Sequence, residues 1–400
     1  MRKVAFILLW LYVFTLPWDN ILQFGEPIGS IGRVAALVAF AGTAALVATN
    51  GNMHRLQAFH IATAAYLVIV ALSVLWSADP ENTPHYARVY VQSALVVWLL
   101  WELVSDQRAL LQLALAYVAG AYFAAFSIYR GFSSSTIAAG AKEARFSAEN
   151  WDANDLALVL ALGIPLALYV MSKKTHWTNT WLARGYLILG PMGVILTSSR
   201  SGIVVTAVAL CALPFFLHRQ RATTKLAMVL ILICAGYVAW NYVPAQSWSR
   251  LSTVFSSVRA GDFNDRQLIW QTALRSFGNN CVLGVGAGAF QSGIGSYYTA
   301  HNTFLAVLVE QGLVGFCIFS VILCGAILGI GRLKGEDRWM CISLLLCWAV
   351  GVFTLGWAMH RVTWFVLGFV FSSAYIQHKE TRSLSRAAGW QAEFASGENA

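Results

Sequence analysis

Residues 302–330 read NTFLAVLVEQGLVGFCIFSVILCGAILGI, and Glu310 is the one charged side chain in this run. A helix rises about 1.5 Å per residue, so a run of this length can cross the hydrocarbon layer of a bilayer, which is roughly 30 Å thick. A helix that is apolar on every side is stable only against lipid or inside a large protein core. The run therefore predicts a membrane-spanning helix.

Similar apolar runs fill most of the remaining chain. Hydrophobic residues make up 58% of the 400 residues and charged residues 11%, and the mean hydropathy is +0.62, which is far from the composition of a soluble domain. We therefore predict an all-α, polytopic membrane protein with about 12 transmembrane helices. The predicted spans lie near 4–18, 33–49, 58–76, 88–104, 109–129, 153–171, 181–197, 201–217, 225–243, 302–330, 338–358 and 362–377.

The distribution of basic residues predicts the orientation of these spans. With a cytoplasmic N-terminus, 16 of the 27 lysine and arginine residues fall on the cytoplasmic side, as the positive-inside rule requires. Residues 1–378 then form a single integral membrane domain, and 379–400 form a polar cytoplasmic tail. The connections 130–152 and 244–301 face outward, and we expect short helices in the longer one. Connections of this length are usually functional.

Four arginines break the rule that short outer loops contain few basic residues. They are Arg88, Arg145, Arg200 and Arg266, and together they predict an anion-binding site that faces outward. The formal net charge of +9 does not indicate nucleic-acid binding, because the basic residues form short clusters between apolar runs instead of one stripe.

Residues 264–274, NDRQLIWQTAL, have the pattern of a capped amphipathic helix in the long outer connection. Trp270, Ala273 and Leu274 fall on one apolar face at helical spacing. Arg266 and Trp270 are four residues apart, so they can present a cation beside an aromatic ring. This pairing suits a phosphate next to a sugar. The alternative is a surface arginine on an interfacial helix.

A glycine-rich stretch, GVGAG, follows at residues 284–288. Glycines such as Gly284 and Gly286 allow the backbone to approach a ligand closely, and successive exposed N–H groups can bind an anion. The alternative interpretation is a flexible turn.

The sequence HNTFL at residues 301–305 opens a predicted span. Asn302 or Thr303 can cap that helix, which places His301 at the positive end of the helix dipole. A histidine there tends to stay neutral and able to accept a proton, as a general base must. The alternative is an ordinary interfacial histidine. Glu310 lies nine residues further on, on the opposite helix face, so we interpret it as a structural hydrogen-bonding group.

Arg200 lies in the turn SSRSG, residues 198–202, between two predicted spans. The surrounding hydroxyls can donate to an oxyanion, whereas the alternative is an arginine that extends to the membrane surface. Arg88 and Arg145 are further candidates of the same kind. The acids near residue 150 are interpreted as helix caps. The sequence has no HExxH motif, EF-hand loop or Cys/His cluster, so we predict neither a metal site nor a cofactor.

Together these motifs resemble those of the O-antigen ligase family of bacterial envelope glycosyltransferases. The resemblance is carried by the SSRSG turn, by Arg266 with Trp270, by the glycines of 284–288, and by HNTFL followed by EQGLVG at residues 310–315. The motifs lie in the second half of the chain, whereas the first half matches only in hydropathy and number of spans.

The resemblance implies a GT-C-like enzyme of the bacterial inner membrane, with its active site on the periplasmic face. Such an enzyme moves O-antigen polysaccharide from undecaprenyl diphosphate to the lipid A core oligosaccharide, in contact with membrane lipid. The family's essential residues correspond to His301, Arg266 and Arg200. The residues predicted to bind substrate are Arg88, Arg145, Trp270, Asn302, Gly284 and Gly286.

Guanidinium groups can stabilise the leaving diphosphate without a metal, while His301 accepts the proton of the acceptor hydroxyl in a single inverting displacement. One alternative is an O-antigen polymerase, which uses the same donor with a second lipid-linked repeat as acceptor. An alternative from another class is a lipid-linked sugar transporter or flippase, for which inverted repeats, broken helices and charges at mid-membrane are typical.

Overall fold

The computed structural model describes residues 1–25, 28–137, 147, 151–173, 175–218, 220, 222–242, 248, 266–293 and 299–397. Across these residues the chain is helical with short connections, and the only β pairing is an isolated bridge between Gln23 and Ser30. The prediction of an all-α fold is therefore confirmed.

A helix lies at each of the twelve predicted spans, the eighth of which is formed by α8 and α9 together. Two more helices, α11 Arg266–Asn279 and α12 Ala289–Gly293, lie in the connection 244–301, where short helices were expected. The helices are α1 Arg2–Thr15, α2 Ile31–Asn50, α3 Ala58–Leu72, α4 Thr83–Leu103, α5 Gln107–Ile137, α6 Ala153–Ser172, α7 Trp177–Leu196, α8 Arg200–Leu210, α9 Leu213–Leu217, α10 Ala222–Tyr242, α11 Arg266–Asn279, α12 Ala289–Gly293, α13 Thr303–Arg332, α14 Gly335–Val352 and α15 Arg361–Gly397.

Within the part of the chain that the structure describes, six helical segments are both long and apolar enough to cross a membrane, so the protein is polytopic; the number twelve stays a prediction. The six segments are Ile31–Asn50, Ala58–Leu75, Gln107–Gly131, Ala153–Ser172, Arg200–Leu217 and Thr303–Arg332. The polar tail predicted from residue 379 is helical as far as Gly397, because α15 continues into it.

Helix α6 forms the centre of the bundle. Seventeen of its 20 residues are buried, and it packs against α5, α7, α8 and α14. The outer helices instead expose large apolar side chains, for example Ile61 on α3, Ile233 on α10 and Leu328 on α13. Apolar side chains on the outside are stable where lipid is the solvent. The burial pattern therefore agrees with a membrane bundle built around α6.

Polar contacts join the connections between helices at two opposite ends of the bundle. At one end, which we call the His301 end, Asp19 after α1 pairs with Arg361 at the start of α15, and Trp357 before α15 donates to Asp155 at the start of α6. At the other end, His54 before α3 contacts Glu102 at the end of α4, with 2.7 Å between Nδ1 and Oε2. The connections that meet at each end are therefore those that spans of alternating direction would place on the same side.

Helix α13 is interrupted at Gly312, whose φ of 62° and ψ of −166° are not helical. Residues 281–286 fill the break with backbone hydrogen bonds. Leu313 N donates to Cys281 O at 2.8 Å, and Gly286 N donates to Glu310 O at 2.9 Å. Buried backbone groups need such partners in a membrane. The neighbouring glycine, Gly284, permits the contact because a Cβ there would lie 2.5 Å from the Glu310 carbonyl.

Candidate active site at the His301 end

Three helices, α6, α8 and α13, begin at the His301 end, and a side chain caps each of them. Asp152 accepts from Asn154 N at 2.7 Å, Ser199 accepts from Gly202 N at 3.1 Å, and Asn302 accepts from Leu305 N at 3.0 Å. The prediction that Asn302 or Thr303 caps the helix after His301 is confirmed, with Asn302 as the cap. The positive ends of three helix dipoles therefore face one region, which favours the binding of an anion.

Side-chain hydrogen bonds connect these helix starts to one another. Ser199 Oγ donates to Asn154 Oδ1 at 2.8 Å and joins α8 to α6. Trp357, in the connection between α14 and α15, donates its Nε1 to Asp155 Oδ1 at 2.7 Å and its backbone N to Thr303 Oγ1 at 2.7 Å. The connection before α15 therefore links the start of α6 to the start of α13.

Helix α11 lies against the segment that leads into α13. Trp270 donates its Nε1 to Ala300 O at 3.0 Å, and Ala273 is fully buried in a small apolar cluster to which Ile269 and Phe277 also contribute. The predicted amphipathic helix exists, and of its predicted apolar face Ala273 is buried whereas Leu274 is 54% exposed. The expected capping residues before Arg266 lie outside the described residues.

His301 is half-buried between charged neighbours. Burial lowers the pKa of its imidazole below the usual value, the nearby Arg266 guanidinium lowers it further, and the Asp152 carboxylate acts in the opposite direction. The predicted neutral imidazole is therefore consistent with the structure. The larger causes are burial and Arg266, because transfer from water and a like charge both disfavour the imidazolium.

The backbone is strained at two positions beside this region. Ser198 and His301 have φ values of 51° and 45° and are the only non-glycine residues of the described part with positive φ. Each lies immediately before a capping residue, Ser199 or Asn302. Such conformations cost about 1–3 kcal/mol, persist only where the surroundings enforce them, and occur often at functional sites.

The predicted site residues divide into those that lie in this region and those that do not. Arg266, Trp270, His301 and Asn302 come together around the start of α13, as described above. Arg200 is the first residue of α8 and joins the same region through its neighbour Ser199.

Of the other predicted residues, Arg88 is an exposed residue of α4, and Arg145 lies outside the described residues. Gly284 and Gly286 lie in the loop that fills the break in α13, where their N–H groups donate to Asn280 and Glu310 oxygens. Those N–H groups are therefore engaged within the chain, and the glycines act in the fold.

Glu310 is buried beside the break in α13. Its carbonyl accepts the bond from Gly286, whereas its carboxyl Oε2 has no hydrogen-bond partner in the described part of the chain. The carboxyl group also accepts a hydrogen bond from the backbone N–H of Gly288, so the backbone and the carboxyl group both have the structural role expected of this residue.

Sequence reasoning missed two contributors to the site. Asp152 was interpreted only as a cap, although it also acts on His301, and Trp357 was not considered. The sequence signal for the first was the pair of acids at the start of α6, where the cap Asp152 is followed three residues later by Asp155. No local pattern distinguishes Trp357 from the other tryptophans. Within the described residues, no group of three His, Cys, Asp or Glu side chains could hold a metal ion.

The fold and this site define a polytopic, all-helical membrane protein in which arginines, a half-buried histidine and three helix N-termini converge at one end of the bundle. Residues 185–320 match the family model described as O-Antigen ligase, and this region contains Arg200, Arg266 and His301. The chain is thus similar to the O-antigen ligase and polymerase superfamily, as its motifs predicted.

One curated relative supports the same superfamily. Exopolysaccharide production protein ExoQ of Rhizobium meliloti (strain 1021) is 24% identical over 207 residues, which cover 46% of this chain and 47% of that protein. The match therefore spans about half the length of the relative.

Proposed function

We propose that this protein is an O-antigen ligase, a glycosyltransferase that moves polysaccharide from undecaprenyl diphosphate to the lipid A core oligosaccharide at the periplasmic face of the bacterial inner membrane. The observation that supports it most is the half-buried His301 beside Arg266, at a point where three helix N-termini meet. The match of residues 185–320 to the O-Antigen ligase model supports the same class of reaction.

In the proposed reaction, the oxygen of an acceptor hydroxyl attacks the anomeric carbon of the donor sugar. The bond from that carbon to the phosphate oxygen breaks, and undecaprenyl diphosphate leaves with the electron pair. Arg266 and Arg200 meet the charge that develops on the diphosphate, and guanidinium groups can do this bidentately without a metal. Neutral His301 accepts the hydroxyl proton, so the configuration at the anomeric carbon inverts.

The decisive experiment is transfer in vitro with purified protein, lipid-linked polysaccharide and lipid A core, followed as a ladder on a gel. We expect Arg266→Ala and Arg200→Ala each to lower the rate about a hundredfold, since a lost oxyanion donor costs roughly 3 kcal/mol. His301→Ala should lower it by about 10²–10⁴-fold, which is the usual contribution of a general base. Arg275→Ala is the matched control, because Arg275 is an exposed arginine of the same helix as Arg266. Near-normal turnover in the His301 and Arg266 variants would contradict these roles, and inhibition by EDTA that Mg²⁺ reverses would contradict the metal-free reaction.

The similarity to a protein of exopolysaccharide production favours a second candidate, a polymerase that uses the same donor and joins it to another lipid-linked repeat. A gene deletion separates the two functions. Loss of a ligase leaves long polymer on the carrier lipid, whereas loss of a polymerase leaves single-repeat chains.

The break in α13 is a feature that the transporter alternative predicted. In transporters, however, the broken backbone faces a substrate cavity. Here residues 281–286 of the same chain supply hydrogen-bond partners for the backbone groups at the break. Ion-gradient-dependent uptake of a lipid-linked sugar into proteoliposomes would favour the transporter over the enzyme.

A further inference from the structure

A cavity of about 130 Å³ opens at the end of the bundle opposite His301. It lies between the start of α1, the end of α4 and the middle of α15. Basic side chains, hydroxyls and aromatic rings line it together. These include Arg2, His54 and Lys379, with Ser105, Ser372 and Trp101. A single buried water requires only about 10–15 Å³, so the cavity has room for a larger polar group.

The charges in this cavity are unbalanced. Glu102 contacts His54, but neither Arg2 nor Lys379 has a carboxylate within salt-bridge distance among the residues that the structure describes. Two cations that share a cavity repel each other, and an anion between them removes that repulsion. The lining therefore selects for negative charge.

The hydroxyls of the lining add hydrogen-bond donors of the kind that an oxyanion needs. Ser372 is buried at 4% exposure, and neither its hydroxyl nor that of Ser105 has a hydrogen-bond partner within the described residues. Arginine and lysine with free hydroxyls form the usual set of ligands for a phosphate group.

The basic lining residues have exposed apolar neighbours along the chain, which we call the apolar rim. Val4 is two residues from Arg2, and Met53 and Leu56 lie within two residues of His54; they are 59%, 53% and 44% exposed, and Tyr375 in the lining is 38% exposed. Tyrosine and tryptophan at such a boundary are typical of the membrane interface. An apolar rim next to a cationic cavity fits an acyl chain attached to a phosphate, whereas a soluble anion needs no such rim.

The geometry points to a binding site for the phosphodiester headgroup of an anionic phospholipid, held by Arg2 and Lys379 with its acyl chains on the apolar rim. The site lies at the opposite end of the bundle from the proposed active site, so it does not depend on the proposed function. Basic pockets between membrane helices bind such headgroups by the same physics.

The test is a lipid titration of the purified full chain in detergent, followed by native mass spectrometry. The probes are phosphatidylglycerol, phosphatidylcholine with the same acyl chains, and inorganic phosphate. We expect tighter binding of phosphatidylglycerol than of phosphatidylcholine. The Arg2→Gln/Lys379→Gln variant should bind phosphatidylglycerol about 25-fold more weakly, since each basic residue near an anionic lipid contributes roughly a factor of five.

The matched control is Lys3→Gln/Arg332→Gln, which removes two exposed basic residues that do not line the cavity. It should keep the wild-type affinity, and an unchanged melting temperature without lipid would show that both variants fold. Equal phosphatidylglycerol affinity in wild type and Arg2→Gln/Lys379→Gln would overturn the site. Binding of inorganic phosphate without any preference between the two lipids would overturn the lipid assignment in favour of a soluble anion.

Discussion

Arginine occupies the first position of α8 and α15, as Arg200 and Arg361. A cation at a helix N-terminus opposes the helix dipole and costs about 0.3–1 kcal/mol. Arg361 offsets this cost through its pair with Asp19. In our proposal Arg200 and Arg266 act on the diphosphate of the donor, so the helix dipoles at this end and both guanidinium groups act on the same charge.

The proton-accepting role of His301 predicts the pH dependence of transfer. The imidazole must be neutral, and burial with Arg266 lowers its pKa below 6.5. The rate should therefore be constant near neutral pH and fall only in acid, as the pH drops through that lowered pKa. Arg266→Gln removes a cause that lowers the pKa, so the acid limb should move to higher pH. The measurement is a pH profile of the transfer rate.

Asp152→Asn gives the opposite expectation and serves as the paired control. Asp152 raises the pKa of His301, so its loss should move the acid limb to lower pH. Shifts in the same direction for both variants, or no shift in either, would show that the limb belongs to a group other than His301.

At the scale of elements, the break in α13 determines how the outer connection packs on the bundle. Leu313 and Val314 donate to carbonyls of residues 281 and 282, while Val285 and Gly286 donate to carbonyls before the break. The sequence predicted the helix but not its break, because glycine is tolerated in membrane helices and several others in α13 are helical. Only the approach of a second backbone segment distinguishes Gly312.

Gly312→Ala should therefore destabilise the protein strongly. Its φ of 62° disfavours any residue with a Cβ, and that Cβ would collide with the Val282 carbonyl. Strain of this kind costs about 1–3 kcal/mol before the collision is added. The measurement is the melting temperature of the purified protein.

Gly325→Ala is the matched control in the same helix. A Cβ at Gly325 meets its nearest neighbour, Phe59, at an ordinary 3.6 Å, and alanine stabilises a helix by up to about 1 kcal/mol relative to glycine. Equal melting temperatures for the Gly312 and Gly325 variants would show that the break does not contribute to stability.

At the scale of the whole molecule, sequence and structure agree where the information is local. Apolar runs of about 20 residues predicted the helices, and the cap pattern at Asn302 predicted the start of α13. The pair of Asp19 with Arg361 joins residues 342 positions apart and left no periodic pattern. The action of Asp152 on His301 likewise depends on the bundle bringing the starts of α6 and α13 near each other, which hydropathy does not determine.

The pair of Asp19 and Arg361 should contribute to the stability of the whole bundle. Their side chains are only 11% and 15% exposed, and Asp19 also accepts from Gly32 N at 2.8 Å. Loss of one partner from a buried pair costs about 3–5 kcal/mol, so Asp19→Asn should lower the melting temperature clearly. Asp19→Asn/Arg361→Met should cost less than the sum of the single variants.

Lys173→Met provides the comparison, because Lys173 pairs with Asp337 at 3.1 Å but is 26% exposed. Such a pair contributes about 1 kcal/mol or less. If Asp19→Asn lowers the melting temperature no more than Lys173→Met does, the buried pair contributes no more to stability than the exposed pair.

The orientation of the bundle is the condition on which the proposed chemistry depends, since a lipid-linked periplasmic donor cannot reach a cytosolic site. Cys281 is exposed next to the break in α13, on the predicted outer side, so a variant that keeps Cys281 as its only cysteine reports the side directly. We expect a membrane-impermeant maleimide to label it in intact spheroplasts. Arg338→Cys in a background that lacks all seven native cysteines, Cys281 included, places a thiol at an exposed position of α14 near the opposite end, and it should react only after lysis. The reverse pattern would place His301 and both arginines in the cytosol, where activated sugars are supplied as nucleotide sugars, and the lipid diphosphate donor would then have to be abandoned.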